Sequence, residues 1–309
     1  MTPTASASRD HFAGIALVVA ATVSWALTGF FTRVLGTDLA TTLAGRSAFG
    51  AVFLVAIFVA REGRGAGRSF VAMGRWGVAQ AVASVICALA TIASLYHTSV
   101  ADNAVIGATS PFAAAVLARI FLRERVPVRT VVAGAISLFG VAIVVSGSLG
   151  QGRLFGDGLA VVMMVSFAVM IVIARARRDM PVAPPNILAV VINFVITAPF
   201  ASFAVVSPRD WGLLAAFGFT NFVLAGMLFL AGSRRIPAAE SALIVALDLV
   251  FGPSVVWAAF GEAPTREGLI GGAIVLVAVI GHVVLGMRRT EVVTVRAEAP
   301  AVAAGHRGD

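Results

Sequence analysis

Ten apolar stretches of about twenty residues fill this chain almost from end to end. A bilayer core about 30 Å thick requires roughly 20 apolar residues in each spanning helix, so every stretch predicts one transmembrane helix. We number them segments 1–10, and they lie at 12–34, 39–60, 72–96, 100–121, 128–148, 157–176, 183–206, 211–233, 238–260 and 267–287. The predicted fold is an all-α integral membrane protein with ten transmembrane helices.

The composition supports this class. Charged residues make up only 12% of the chain, against roughly 25% in soluble domains. A soluble fold would need ten helices that are buried on every side. The single cysteine, Cys87, lies inside segment 3 and excludes an internal disulfide. Residues 1–11 are polar and lack the features of a signal peptide, so we expect a short tail before segment 1.

The basic residues follow a topological pattern. All 23 of them are arginines, and most lie in alternate loops, at Arg61, Arg64, Arg68, Arg75, Arg123, Arg125, Arg129, Arg175, Arg177, Arg178, Arg234, Arg235, Arg288 and Arg289. Basic loops remain on the cytoplasmic side of a membrane. Both termini are therefore predicted to be cytoplasmic, in the inner (cytoplasmic) membrane of the cell. The net charge of +8 reflects this loop bias and does not indicate a nucleic-acid partner.

The chain also contains an internal repeat. When 100–145 is laid on 238–283 without a gap, Glu124 coincides with Glu262, and we call this the Glu124–Glu262 alignment. A second alignment, which we name after Arg33 and Arg175, lays segment 1 on segment 6. Segments 1–5 (residues 12–148) thus repeat as segments 6–10 (residues 149–287). Because five is odd, the second copy is predicted to be inverted in the bilayer, an arrangement typical of secondary transporters.

The end of the chain differs from the repeats. Residues 288–309 are rich in alanine, valine and charged residues, and they have no sustained period. We predict that they form a disordered cytoplasmic tail.

The repeated motifs lie at 95–104 (LYHTSVADNA), 110–112 (SPF) and 122–125 (LRER), with second copies at 236–242, Asp248 and 260–264. They resemble the EamA repeat of the drug/metabolite transporter superfamily. The resemblance implies a five-plus-five inverted-repeat exporter whose cavity is lined mainly by helices 1, 3, 4, 6, 8 and 9. The YddG-like exporters of amino acids and small metabolites are the nearest comparison. One departure is that Asp248 is followed by Leu249, and the proline comes later, at Pro253.

Polar groups at membrane depth are the first candidates for the substrate cavity. An ionisable side chain at the bilayer centre costs about 2.5–3.5 kcal/mol. Asp248 lies near the middle of segment 9, where it could contact a substrate amine, carry a coupling proton, or hydrogen-bond to another helix. Asn221 in segment 8 is predicted to contact substrate. Arg46 in segment 2 could attract a substrate carboxylate, but we favour a structural charge held by an ion pair or helix end.

Further cavity candidates come from repeat symmetry and from a proline. Trp25 and Phe167 occupy matched positions, with Met163 nearby, and could form an adaptable apolar wall; ordinary core or lipid-facing packing is the alternative. Segment 4 is predicted to bend at the cavity, because a proline removes a backbone donor and leaves carbonyls that need partners. The residues at this bend are Thr109, Ser110 and Pro111.

A polar cluster is predicted at the outer mouth of the cavity. Tyr96 and His97 end segment 3, and Asp102 and Asn103 begin segment 4. They could form a gate in which a histidine senses pH, or Asp102 or Asn103 could cap the helix. Glu124 and Glu262 are interpreted as structural caps or ion pairs at helix ends.

These features predict a transporter and not an enzyme. The sequence has no metal-ligand spacing and no phosphate-binding loop, so no metal, cofactor or nucleotide is expected. The predicted function is export of small amphipathic metabolites, amino acids above all, by alternating access. A permease for sugars, nucleosides or other metabolites is the first alternative, and a lipid flippase or structural subunit is the second. The expected partners are a small-molecule substrate and the lipid bilayer, with a monomer favoured over a homodimer.

Overall fold

The computed structural model describes residues 5–149, 152–177, 179–236 and 238–284, and within them the only regular structure is helical. Nine helices in these ranges are long and apolar enough to span a membrane, and a tenth apolar helix, Asp248–Phe260, is shorter. The prediction of an all-helical membrane fold is therefore confirmed. The first helix begins at Ala5 and includes much of the predicted N-terminal tail. The predicted tail at 288–309 lies outside the described residues.

The first repeat contains seven helices. They are α1 (Ala5–Val34), α2 (Leu39–Glu62), a short α3 (Ala66–Ala72), α4 (Gly74–His97), α5 (Val100–Gly107), α6 (Ser110–Phe121) and α7 (Val128–Ser148). Helices α1, α2, α4 and α7 correspond to predicted segments 1, 2, 3 and 5. Segment 4 is divided into α5 and α6, and a single turn of 3₁₀ helix at Gly63–Gly65 precedes α3.

The second repeat has the same plan. Its helices are α8 (Leu154–Ala176), α9 (Ala183–Thr197), α10 (Pro208–Gly218), α11 (Ala225–Ser233), α12 (Ala238–Val245), α13 (Asp248–Phe260) and α14 (Arg266–Val284). Two 3₁₀ turns, at Ala198–Phe200 and Phe203–Val205, follow α9. Segment 8 consists of α10, a π-helix at Phe219–Leu224, and α11, whereas segment 9 is divided into α12 and α13.

Segments 4 and 9 are interrupted at equivalent positions. The Glu124–Glu262 alignment carries Gly107, where α5 ends, onto Val245, where α12 ends. It also carries Ser110 onto Asp248, the first residues of α6 and α13. In segment 4 the break precedes Pro111, which is tolerated in a first helical turn because its missing N–H has no partner to bond there. In segment 9 the break comes before Asp248, and Pro253 lies inside α13.

Helix contacts define an inner group and an outer group. Helix α1 packs on α11 and α13, α5 packs on α13 and α8, α6 packs on α8, and α8 packs on α4. These helices, with segment 8, form the inner group. Helix α2 packs on α9 and α10, and α9 also packs on α4, so α2 and α9 lie behind α4 and segment 8.

Helices α7 and α14 meet at a seam of glycines. A Cβ atom on Gly140 would lie 2.8 Å from the carbonyl oxygen of Gly271, and one on Gly271 would overlap the carbonyl oxygen of Gly140. Only glycine allows two helix backbones to approach so closely. Segments 5 and 10 therefore pack against each other at these two glycines.

The two repeats run in opposite directions. Arg33, in the last turn of α1, bonds the carbonyl oxygen of Thr98, and the Thr98 hydroxyl bonds Asp157 in the first turn of α8. Helix α1 therefore ends where α8 begins. We call this end of the bundle the Arg33 face. The opposite end, where α8 finishes, is the Arg175 face.

Candidate functional site

Ion pairs join the two repeats. The four pairs in the described residues are Arg33–Glu262 at 2.7 Å, Arg175–Glu124 at 2.7 Å, Arg153–Asp102 at 3.4 Å and His11–Glu240 at 3.0 Å, the last when the imidazole is protonated. Each of them connects a residue of the first half of the chain with a residue of the second half. The ion pairs predicted for Glu124 and Glu262 are thus present, and their partners lie in the opposite repeat.

These pairs are related by the repeat itself. The alignment that superposes Arg33 on Arg175 also carries His11 onto Arg153. The Glu124–Glu262 alignment also carries Asp102 onto Glu240. The Arg33–Glu262 pair is therefore the counterpart of Arg175–Glu124, and Arg153–Asp102 is the counterpart of His11–Glu240. Each face of the bundle therefore holds one ion pair from each of these two sets of counterparts.

Arg33 is the centre of the contacts on its face. Its Nε donates to Glu262 at 2.7 Å, and its two terminal nitrogens donate to the carbonyl oxygens of Leu95 and Thr98. Glu262 also accepts a hydrogen bond of 3.4 Å from the Val100 amide. The end of α1, the end of α4, the start of α5 and the chain after α13 are held together in this way. A cavity of about 310 Å³ beside them is lined by Arg33, His97, Thr98, Ser99, Arg153, Glu262 and Ala263.

Two buried carboxylates adjoin this network. Asp102 and Asp157 are each only 2% exposed. The Thr98 hydroxyl lies 2.6 Å from Asp157 Oδ1 and 3.4 Å from Asp102 Oδ2. Arg153 compensates the charge of Asp102, but Asp102 Oδ1 and Asp157 Oδ2 have no hydrogen-bond partner among the described residues. Sequence reasoning missed Asp157, although an acid in the first turn of segment 6 was a usable signal.

The residues predicted at the mouth separate into different contacts. Asp102 belongs to the network described above. The Tyr96 hydroxyl donates to the Thr37 carbonyl at 2.8 Å, and the Asn103 amide donates to Ser94 Oγ at 2.9 Å. His97 is exposed, with its ring edge-on to Phe155.

The predicted cap of segment 4 was wrong. Ser99 caps α5, because its side chain accepts a hydrogen bond from the Asp102 amide. Serine is a strong N-cap when it precedes the first helical residue, and Asp102 and Asn103 already lie inside the helix.

Asp248 lies at the interruption of segment 9 and makes no hydrogen bond or ion pair with the described residues. It is half-buried, and its Oδ1 has no partner. The hydrogen bond to another helix that one interpretation required is therefore not formed in this part of the chain. Asn221 differs, because its amide donates to Thr28 Oγ1 at 2.8 Å and links the π-helix to α1.

The remaining cavity candidates lie on different helix pairs. Trp25 packs against Phe229 of α11, with ring centroids 5.5 Å apart, whereas Met163 lies against Gly107 at the end of α5. Phe167 is 44% exposed.

The bend predicted in segment 4 is present as a break in the helix. Thr109 and Ser110 are buried there, and Pro111 is exposed. The helix is interrupted at Ala108 and Thr109, shortly before Pro111.

Arg46 is a buried cation without a counter-ion in the described residues. It is 2% exposed, and its guanidinium carbon lies 5.1 Å and 5.2 Å from the ring centroids of Phe217 and Phe222. Its Nε has no hydrogen-bond partner, and the expected ion pair is not formed. Cation–π contacts contribute about 0.5–2 kcal/mol, against about 2.5–3.5 kcal/mol for a charge at the centre of a membrane helix. The two rings therefore offset only part of the cost.

Comparisons with known proteins agree with this architecture. Residues 12–146 and 154–284 each match the sequence profile of the EamA-like transporter family. The pseudopaline exporter CntI of Pseudomonas aeruginosa, from strains UCBPP-PA14 and PAO1, is 29% identical over 223 residues, which cover 68% of this chain and 76% of the relative. A solved crystal structure superposes with a TM-score of 0.60 and 17% identity, covering 93% of this chain and 100% of its own. At that identity the likeness concerns the fold alone.

Proposed function

The chain belongs to the EamA-like transporter family, and from this premise we propose that it is a secondary active exporter of small amphipathic metabolites, most specifically amino acids. The observation that carries the mechanism is the set of ion pairs between the repeats. Because each pair has a counterpart on the opposite face, one face can open while the other stays closed. We name Arg33–Glu262 and Arg153–Asp102 the first latch, and Arg175–Glu124 and His11–Glu240 the second latch.

The alternating-access cycle follows from these two latches. Opening the Arg33 face separates the end of α1 from the loop after α13 and breaks the first latch. Opening the Arg175 face separates the ends of α6 and α8 and breaks the second latch. The arginine-rich loops support a cytoplasmic Arg175 face and an outer Arg33 face. Both termini are then cytoplasmic, in the cell's inner membrane.

The interrupted helices provide the proposed substrate site. Discontinuous helices in transporters place helix ends and freed backbone groups at the substrate. Here the break in segment 9 carries an acid without a partner in the described chain, Asp248, which suits a substrate amine. Asn221, on the π-helix, supplies a second polar group, which bonds Thr28 of α1. The similarity to a metabolite exporter supports the direction of transport.

A solute screen in proteoliposomes tests this function. The purified chain is reconstituted, and amino acids, sugars and nucleosides are offered with and without an imposed proton gradient. We expect amino acids to cross and sugars not to cross. Movement of sugars or nucleosides alone would support the permease alternative, and inertness to every solute would support a flippase or structural role.

The change Asp248→Asn is expected to reduce amino-acid transport more than tenfold. The amide keeps the size of the side chain but removes the charge that would pair with a substrate amine, and no ion pair in the described residues is lost. Transport is measured in proteoliposomes with protein amounts matched after size-exclusion chromatography. Asp179→Asn, at an exposed loop acid, is the control and should transport normally. An unchanged rate for Asp248→Asn would remove this residue from the site.

A further inference from the structure

We propose that Arg46 is the binding site for the substrate's carboxylate, which is the anion that its guanidinium lacks. This inference rests on the proposed function and assigns one part of the substrate to one residue. The starting observation is that a 2%-exposed arginine makes no ion pair and no hydrogen bond with the described residues. Guanidinium and carboxylate are geometrically matched, because two parallel N–H groups can bond two oxygens.

The position of Arg46 directs it toward the inner group of helices. Helix α2 lies behind α4 and segment 8, and the guanidinium lies beside segment 8. Phe217 and Phe222 of segment 8 flank it at 5.1 Å and 5.2 Å. Helix α4, which carries Cys87, also contacts α2. Arg46 therefore lies against segment 8, one of the helices that enclose the proposed site.

The surrounding backbone has a feature common at binding sites. Phe222 belongs to the π-helix Phe219–Leu224, a widened turn that occurs often at functional positions. The preceding residue, Asn221, bonds Thr28 of α1. The π-helix thus connects the arginine on one side with the polar groups of α1 on the other.

Repeat symmetry indicates that the fold does not require this charge. Helix α9 is the counterpart of α2 in the second repeat, and it contains no charged residue between Ala183 and Thr197. It packs on α2 and α4 without one. A charge present in only one of two equivalent helices is better explained by a ligand than by packing.

The test compares matched pairs of solutes. Each amino acid is offered beside its carboxamide, and 3-phenylpropionate beside 3-phenylpropanamide, to wild-type and Arg46→Gln protein in proteoliposomes. We expect the wild type to prefer the carboxylate at least tenfold and Arg46→Gln to lose that preference. Arg46→Lys should keep part of it, because the charge remains and the two-pronged geometry is lost. A wild type that moves solutes without distinguishing the pairs would overturn this inference alone. A wild type that moves no solute would overturn the proposed function.

A second measurement uses the unmodified chain and does not depend on the folding of a variant. Cys87 is the only cysteine and lies on α4, which contacts α2, so its alkylation by N-ethylmaleimide reports on this part of the bundle. Phenylalanine and 3-phenylpropionate should slow the reaction severalfold, whereas phenylalaninamide should not. Equal protection by the acid and the amide would contradict a carboxylate site. Ligand-free Arg46→Gln should also melt no earlier than the wild type, since it removes a charge without a partner; early melting would indicate a structural arginine.

Discussion

Glu262→Gln is expected to open the Arg33 face. The substitution removes the charge that holds Arg33 and weakens the hydrogen bond from the Val100 amide. Hydrogen bonds to charged groups contribute about 1.5–3 kcal/mol, and about 1.4 kcal/mol changes an equilibrium tenfold. A cysteine at buried Ala101, introduced together with Cys87→Ser, should then react about tenfold faster with a membrane-impermeant maleimide.

The repeat supplies a matched control. Glu124→Gln removes the equivalent acid from the Arg175 face, where it pairs with Arg175. In this variant the cysteine at position 101 should react with the maleimide at an unchanged or lower rate, because the substitution favours opening of the opposite face. If both variants accelerate labelling equally, the ion pairs stabilise the fold in general and do not control one face each.

Gly271→Ala is expected to prevent normal assembly of the bundle. The new methyl group would overlap the Gly140 carbonyl oxygen, and it would lie 2.6 Å from Val144 Cγ2. A backbone oxygen cannot move aside without shifting α7, and overpacking of this kind costs about 1–3 kcal/mol or more. We expect a large loss of monodisperse protein in size-exclusion chromatography and a clearly lower melting temperature in detergent.

Gly226→Ala is the control for this change. Gly226 is also helical, in α11, and a Cβ atom there would meet nothing within 4 Å. Alanine is favoured over glycine in a helix by about 1 kcal/mol, so this variant should be as stable as the wild type or slightly more stable. Equal stability of Gly271→Ala and Gly226→Ala would show that the seam between α7 and α14 tolerates wider separation.

Much of this fold follows from hydropathy and self-comparison of the sequence. The lengths of the apolar segments predict the spanning helices, because each must cross the same bilayer. The breaks after Gly107 and Val245 are not visible in this way, since each segment stays apolar enough on both sides of its break to be read as one continuous span. Pro111 indicated a bend only approximately. Its equivalent position holds Leu249, so no proline marks the matching break before Asp248.

The candidate site was less predictable for a different reason. The two internal alignments already related Arg33 to Arg175 and Glu124 to Glu262, but they did not reveal which residues pair. Pairing depends on how the halves pack, and each partner comes from the opposite half. For Arg46 the sequence favoured an ion pair. Only the three-dimensional contacts reveal that two phenyl rings, and no acid, lie beside its guanidinium in the described residues.

The two related ion pairs differ in exposure. The side chains of Arg33 and Glu262 are 24% and 29% exposed, whereas those of Arg175 and Glu124 are 55% and 37% exposed. Dissolved ions screen exposed charges over about 8 Å at physiological ionic strength and screen covered ones much less. In the proposed orientation, dissolved salt in the cytoplasm therefore weakens the ion pair on the cytoplasmic face, whereas the ion pair on the outer face responds less to the salt concentration outside the cell.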